Sequence, residues 1–147
     1  MLYLTPEDFF LNQNQDLCNK IGGYSFVMFN SPDCVYCKDI HPSFVKVSKM
    51  ILGCTFAVME VGQRIIGLSQ QSKTPIEYVP YILLYGHGQP IAQYQPDEIN
   101  SNIEKMTEFL VEQTKQTVIN DNLIISGVPK TKNRVCYLGF DKAYKNA

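Results

Sequence analysis

Tyr24-Ser25-Phe26-Val27-Met28-Phe29-Asn30-Ser31-Pro32-Asp33-Cys34-Val35-Tyr36-Cys37-Lys38 changes its periodicity midway. The run from Tyr24 to Phe29 is aromatic, β-branched or long and apolar, about as long as a buried strand. Asn30-Ser31-Pro32-Asp33 ends it as a turn. Downstream, Cys37, Ile40, Phe44, Val47 and Ile51 recur at three- and four-residue steps, the stripe of an amphipathic helix. Pro42 stands inside that stripe, where it removes a donor and predicts a kink, and Gly53 closes it. Cys34 and Cys37 thus fall where a strand hands over to a helix.

Working outward, Cys54 to Val61 reads as a second strand, followed by a short helix through Ile65, Ile66 and Leu68. Val79-Pro80-Tyr81-Ile82-Leu83-Leu84-Tyr85 reads as a third strand with proline at its entrance, where it costs the ladder least. Gly86-His87-Gly88-Gln89 is a hairpin turn into Pro90 to Tyr94. From about Asp97, the residues Ile99, Ile103, Met106, Phe109, Leu110 and Gln113 trace a last amphipathic helix. Upstream, Thr5-Pro6-Glu7-Asp8 has the makings of a helix start: hydroxyl cap, proline, then acid. It predicts a first helix through Phe9, Phe10 and Leu11, with a short resumption from Leu17 to Ile21. The expected order is α, β, α, β, α, β, β, α. The first two strands, joined through a helix, should be parallel, and the last two antiparallel.

The chain has 147 residues, 45% hydrophobic and 18% charged, enough for one core. Thirteen basic residues against 14 acidic ones give a net charge of -1, without the cationic surface that nucleic-acid binding needs. Ten Asn and ten Gln are scattered, so no low-complexity tract follows. The N-terminal residues lack a basic region and carry acid early, unlike a secretory signal, and no apolar run has the roughly 20 residues of a membrane span. An intracellular, cytoplasmic protein is expected. The five cysteines, Cys18, Cys34, Cys37, Cys54 and Cys136, are odd in number and irregular in spacing, which argues against a disulfide framework. Residues 118–147 read as a C-terminal extension that packs on the main domain or on a partner. Within it Leu123-Ile124-Ile125 is apolar, Lys130, Lys132 and Arg134 form a short basic loop, and Val135 to Phe140 is strand-like.

Cys-x-x-Cys at the first turn of a helix is the arrangement that thiol–disulfide exchange needs. Unpaired N–H groups and the helix dipole favour a thiolate at Cys34. Cys37 is near enough in sequence to attack a mixed disulfide formed there. With these features in order, residues 1–117 resemble the thioredoxin family. The matching features are Cys34-Val35-Tyr36-Cys37-Lys38 after a strand, Pro42 five residues beyond the second cysteine, Val79-Pro80 at a strand entrance, and the His87-Gly88 hairpin. The resemblance implies an α/β thioredoxin fold: a central mixed four-stranded sheet with helices on both faces, here with a short C-terminal extension. It also implies a protein disulfide oxidoreductase with Cys34 as nucleophile and Cys37 as resolving thiol. A cis proline at Pro80 would wall the substrate groove, with Val79, Val35 and Tyr36 contacting the client. No bound cofactor or metal is implied; the partners would be a protein disulfide and a separate reductase or dithiol donor. The tail from Arg134 to Tyr144 is also similar to thioredoxin-like proteins of large DNA viruses, which adds a virion as a location.

Several positions depart from the family pattern. Asp33 stands where thioredoxins carry Trp, and Val35-Tyr36 replaces Gly-Pro. Met28 occupies the place of the buried acid that accepts the proton of the resolving thiol. Asp33 as a helix cap would start the helix, yet its charge would raise the pKa of Cys34. Tyr36 resembles glutaredoxins, but their Gly-Gly-Asp glutathione segment is not found. His41, one turn beyond Cys37, is an imidazole that can replace the missing acid; the plainer reading is a half-exposed residue before the kink. The alternatives for the cysteine pair are half a zinc site, short of its four ligands, and a redox-silent domain. The second would be a binding or virion adaptor protein that uses its tail. In either case the apolar tail offers a surface for a homodimer. Cys18 and Cys54 read as small buried apolar residues. Cys136 is either inert, a third redox thiol or a link between chains.

Overall fold

The computed structural model describes residues 1–96, 102–114, 124–126 and 134–138. In chain order the elements are β1 (Leu2–Leu4), a 3-10 turn at Pro6–Asp8, β2 (Phe9–Leu11), β3 (Leu17–Asn19) and β4 (Tyr24–Asn30). They continue with α1 (Val35–Met50), β5 (Cys54–Glu60), α2 (Gln63–Gln70), β6 (Tyr78–Val79), β7 (Tyr81–Gly86) and β8 (Gln89–Tyr94). The last are α3 (Asn102–Thr114), β9 (Ile124–Ser126) and β10 (Cys136–Tyr137). Asp97 and Ile99, expected in the last helix, lie outside the described residues, as do Lys130 and Lys132.

The four expected strands form the centre of the sheet, with β4 parallel to β5 and antiparallel to β7, and β7 antiparallel to β8. One further strand stands on each edge, giving six in the order β1-β5-β4-β7-β8-β9. Alternation along the central strands sorts the core onto two faces. Phe26, Met28, Phe56, Val58, Ile82 and Leu84 point to one, where Ile40, Phe44 and Val47 of α1 meet Met106, Phe109 and Leu110 of α3. Val27, Phe29, Ala57, Met59, Leu83 and Tyr85 point to the other, covered by Ile65 and Ile66 of α2. Phe26 has no exposed surface and lies within 5.5–6.4 Å, ring centre to ring centre, of Phe44, Phe56, Tyr94 and Phe109.

The N-terminal segment corrects the sequence reading. Leu2–Leu4 is a strand parallel to β5, and the predicted helix is one 3-10 turn, held by Thr5 N–H donating to Asp8 Oδ2 at 2.8 Å. Phe9–Leu11 and Leu17–Asn19 form an antiparallel hairpin instead of two helical pieces. Its turn is closed by the Asn12 side chain, whose Oδ1 accepts from the N–H groups of Asn14 and Asp16, and an Asx-type turn of this kind competes directly with helix. The hairpin docks on the β7–β8 turn through buried Asn19, whose N–H donates to the Gly88 carbonyl at 2.9 Å and whose Nδ2 donates to Ser25 Oγ at 3.1 Å.

Candidate active site

Cys34 is the N-cap of α1, with extended backbone, and its own N–H donates to the Ser31 carbonyl at 3.2 Å. Asp33 therefore does not cap the helix. The first turn of α1 contains no acid, so the end of the dipole at Cys34 is not offset from within the helix. Across from it the Val79–Pro80 peptide bond is cis, and the Val79 carbonyl oxygen lies 3.6 Å from Cys34 Sγ. Pro80 and Val79 are buried, Val35 is exposed and Tyr36 half-buried.

The sulfur chemistry differs from the sequence expectation. Cys34 is bonded to Cys136, 102 residues away, and not to Cys37, which remains a thiol. The partner arrives on β10, which runs antiparallel to β6 with Cys136 opposite Val79 and Tyr137 opposite Tyr78. Leu138 N–H extends the pairing by donating to the Glu77 carbonyl at 2.7 Å. With this strand bonded to it, Cys34 is only 2% exposed.

Three side-chain contacts flank the bond. The Arg134 guanidinium stands 5.5 Å from the centre of the Tyr36 ring and 3.4 Å from Asp39 Oδ2. Val135 is buried against the α2-side core. The Tyr137 ring meets Tyr78 edge-on at 6.0 Å, and the Tyr78 hydroxyl accepts from Gln93 and Gln95. Sequence reasoning placed Arg134 in a basic loop and did not connect Asp39, Tyr78 or Tyr137 with the site. The available signal was the strand-like run Val135 to Phe140 with a cysteine in it. Its destination depends on register, which spacing does not reveal.

Cys37 is buried, and that burial pushes its thiol up to about 11, opposed only by a main-chain interaction at Ser31. Met28 at the family's acid position is fully buried in the α1 core, so no carboxylate stands there. His41 is half-buried one turn beyond Cys37, and no hydrogen bond joins its ring to either cysteine among the described residues. His87 is exposed in the hairpin turn at φ 51°. Cys18 is buried, and burial, with the Asp16 charge adding to it, raises its thiol. Cys54 is only partly exposed, and burial pushes it up to about 12. Among the described residues no group of three His, Cys, Asp or Glu side chains could hold a metal, and no helix is long and apolar enough to cross a membrane.

Uncharacterized protein 196R of Invertebrate iridescent virus 6 is 33% identical across 98% of this chain and 93% of its own length. Uncharacterized protein 020R of Invertebrate iridescent virus 3 is 31% identical across 98% and 96%. Both are viral, in keeping with the resemblance read from the tail. Among solved structures, Chlamydomonas reinhardtii thioredoxin f2 superposes with a TM-score of 0.54 at 23% identity, over 74% of this chain and 95% of that one. Human ERp44 form I gives 0.58 at 15% identity over 77% of this chain, which spans only 29% of ERp44. These two show the fold. The sequence pattern of the thioredoxin family matches residues 12–110, the stretch that carries both the cysteine pair and the cis proline, and the chain belongs to that family.

Proposed function

We propose that this protein carries out thiol–disulfide exchange on protein disulfides, with residues 1–117 as the working domain and 118–147 as its extension. Cys34 as thiolate attacks one sulfur of the client; the Cys34–client bond forms, the client bond breaks, and the departing thiolate takes up a proton. Cys37 then attacks Cys34 Sγ, releasing the second client thiol and leaving Cys34 and Cys37 joined. The client gains two electrons that the cysteine pair loses, and a separate reductase or dithiol restores the pair. Pro80 walls the groove, Val79 offers its main chain, and Val35 and Tyr36 border the approach. With Met28 in place of an acid, His41 is the proton acceptor this reading assigns to Cys37.

The juxtaposition that supports the reading is Cys34 Sγ at a helix N-cap, 3.6 Å from the Val79 carbonyl and beside Pro80. A sulfur in that position meets a strand-forming peptide and the dipole of α1 together. The test is reduction of insulin by dithiothreitol. Cys34→Ser should abolish the acceleration, and Cys37→Ser with Cys136→Ser should trap mixed disulfides through Cys34 on non-reducing gels. His41→Ala should lower the rate and alter its pH profile, and an unchanged pH profile excludes its role.

The burial of Cys34 under its own tail supports a second reading, a redox-silent adaptor closed by a structural disulfide. A Cys34 thiol that titrates near 8.5 once the tail bond is reduced, together with no insulin turnover, would favour the adaptor.

A further inference from the structure

We propose that Arg134–Leu138 is an internal client held in the client groove by a mixed disulfide. The groove would accordingly select protein cysteines with a basic residue two positions before and an aromatic residue one position after. This rests on the exchange function proposed above and adds the identity of the substrate.

The segment has each property a captured client needs. It is extended, it adds a strand to β6 through main-chain pairing opposite Val79 and Glu77, and its cysteine is bonded to Cys34. Strand addition gives affinity without sequence, and the side chains on either side of the bond supply selection. Arg134 fits between the Tyr36 ring and the Asp39 carboxylate. Val135 is buried, which favours an apolar residue just before the cysteine. Tyr137 lies edge-on against Tyr78, whose hydroxyl is fixed by Gln93 and Gln95. Tyr36 and Asp39 come from α1 and Tyr78 from β6, so the recognition surface belongs to the domain and remains when the tail leaves.

Departure of the tail needs no outside oxidant. A Cys37 thiolate attacks Cys34 Sγ, the Cys34–Cys37 bond forms, the Cys34–Cys136 bond breaks, and the electron pair leaves on Cys136 Sγ. Cys136 takes up a proton, and the one lost by Cys37 passes to solvent; the number of disulfides is unchanged. A dithiol partner opens the same bond by the same exchange.

The test uses the full chain carrying Cys37→Ser and Cys136→Ser, with Cys34 left to attack. It is offered the peptides Arg-Val-Cys-Tyr-Leu and Glu-Val-Cys-Ala-Leu, each as a thiopyridyl mixed disulfide whose leaving group is followed by absorbance. The first should react about tenfold faster, the combined effect of a half-exposed cation beside a ring and carboxylate and of one ring pair. Asp39→Ala in the same background should shrink that preference. Equal rates, with 2,2′-dithiodipyridine still labelling Cys34, overturn the inference and leave exchange standing. Failure of that small reagent to label Cys34 in a folded protein overturns the exchange function itself. A second measurement keeps the wild-type cysteines and introduces Arg134→Glu with Tyr137→Ala. In a glutathione redox buffer, the equilibrium constant for Cys34–Cys136 should fall about tenfold; an unchanged constant rejects the side-chain selection.

Discussion

The raised thiol of Cys37 makes the pH dependence of tail release a sharp test of which sulfur opens the site. Burial pushes Cys37 up to about 11, so at pH 7 only about one molecule in ten thousand carries the thiolate, against about 3% for an ordinary cysteine near 8.5. That is a loss of about 300-fold in reactive form. A more basic thiolate is a better nucleophile, and a Brønsted slope near 0.45 over about 2.5 units returns roughly 13-fold. The population term wins, and release at pH 7 should be about twenty-fold slower than an ordinary neighbouring thiol would give. Protein with Cys34 joined to Cys136 is incubated with iodoacetamide at concentrations where the rate no longer depends on the reagent, and alkylation of Cys136 is followed by peptide mass. The decisive interval is pH 9 to 10. A thiol titrating near 11 gives a rate increase of about tenfold there, whereas one near 8.5 gives about 1.3-fold. Cys37→Ser should abolish the alkylation of Cys136. A rate already flat above pH 9, or wild-type alkylation of Cys136 in Cys37→Ser, would refute the reasoning.

Two stability predictions follow from other parts of the fold. The Cys34–Cys136 bond closes a loop with a sequence separation of 102, for which the chain-entropy account gives about 4–5 kcal/mol. Urea titrations with and without dithiothreitol should show wild type losing that amount on reduction, and Cys37→Ser with Cys136→Ser insensitive to the reductant; a wild-type midpoint that ignores dithiothreitol rejects it. Gly88 has φ +85° and a methyl there runs into the Asn19 carbonyl oxygen. Gly88→Ala should therefore cost about 2–3 kcal/mol, from left-handed backbone and the loss of the Asn19–Gly88 hydrogen bond, and an unchanged urea midpoint counts against that packing.

How far the sequence could be read depended on how local the deciding interaction was. Tyr24 to Phe29 and the Cys37-Ile40-Phe44-Val47 stripe became β4 and α1 because each face buries within its own period. Phe9-Phe10-Leu11 has no such period. As a helix it would have followed from Thr5-Pro6-Glu7-Asp8, but that cap starts a single 3-10 turn, and the Asn12 side chain turns the chain back on itself. The edge strand β1 escaped for a related reason: Leu2 and Tyr3 are largely exposed and Leu4 half-buried, so pairing with β5 and not an apolar face makes it a strand.

The candidate site divides along the same line. Cys34 at the head of α1 and Val79-Pro80 before β7 were legible because family spacing fixes them near strand and helix ends, and Pro42 because it interrupts the stripe of α1 from within. Cys136 was not, since its place depends on β10 entering opposite Val79 after a separation of 102 residues. An extended client and this tail ask the same thing of Val79: a free main-chain edge beside a sulfur. The intramolecular partner has the advantage of tethering, because loop closure grows only with the logarithm of length, about 0.6 kcal/mol per doubling. The strand bonds and the contacts of Arg134 and Tyr137 act on top of that effective concentration. On the proposed function, a client in solution would reach Cys34 only after the tail bond has been exchanged, and the protonation state of Cys37 would govern how quickly the protein does this unaided.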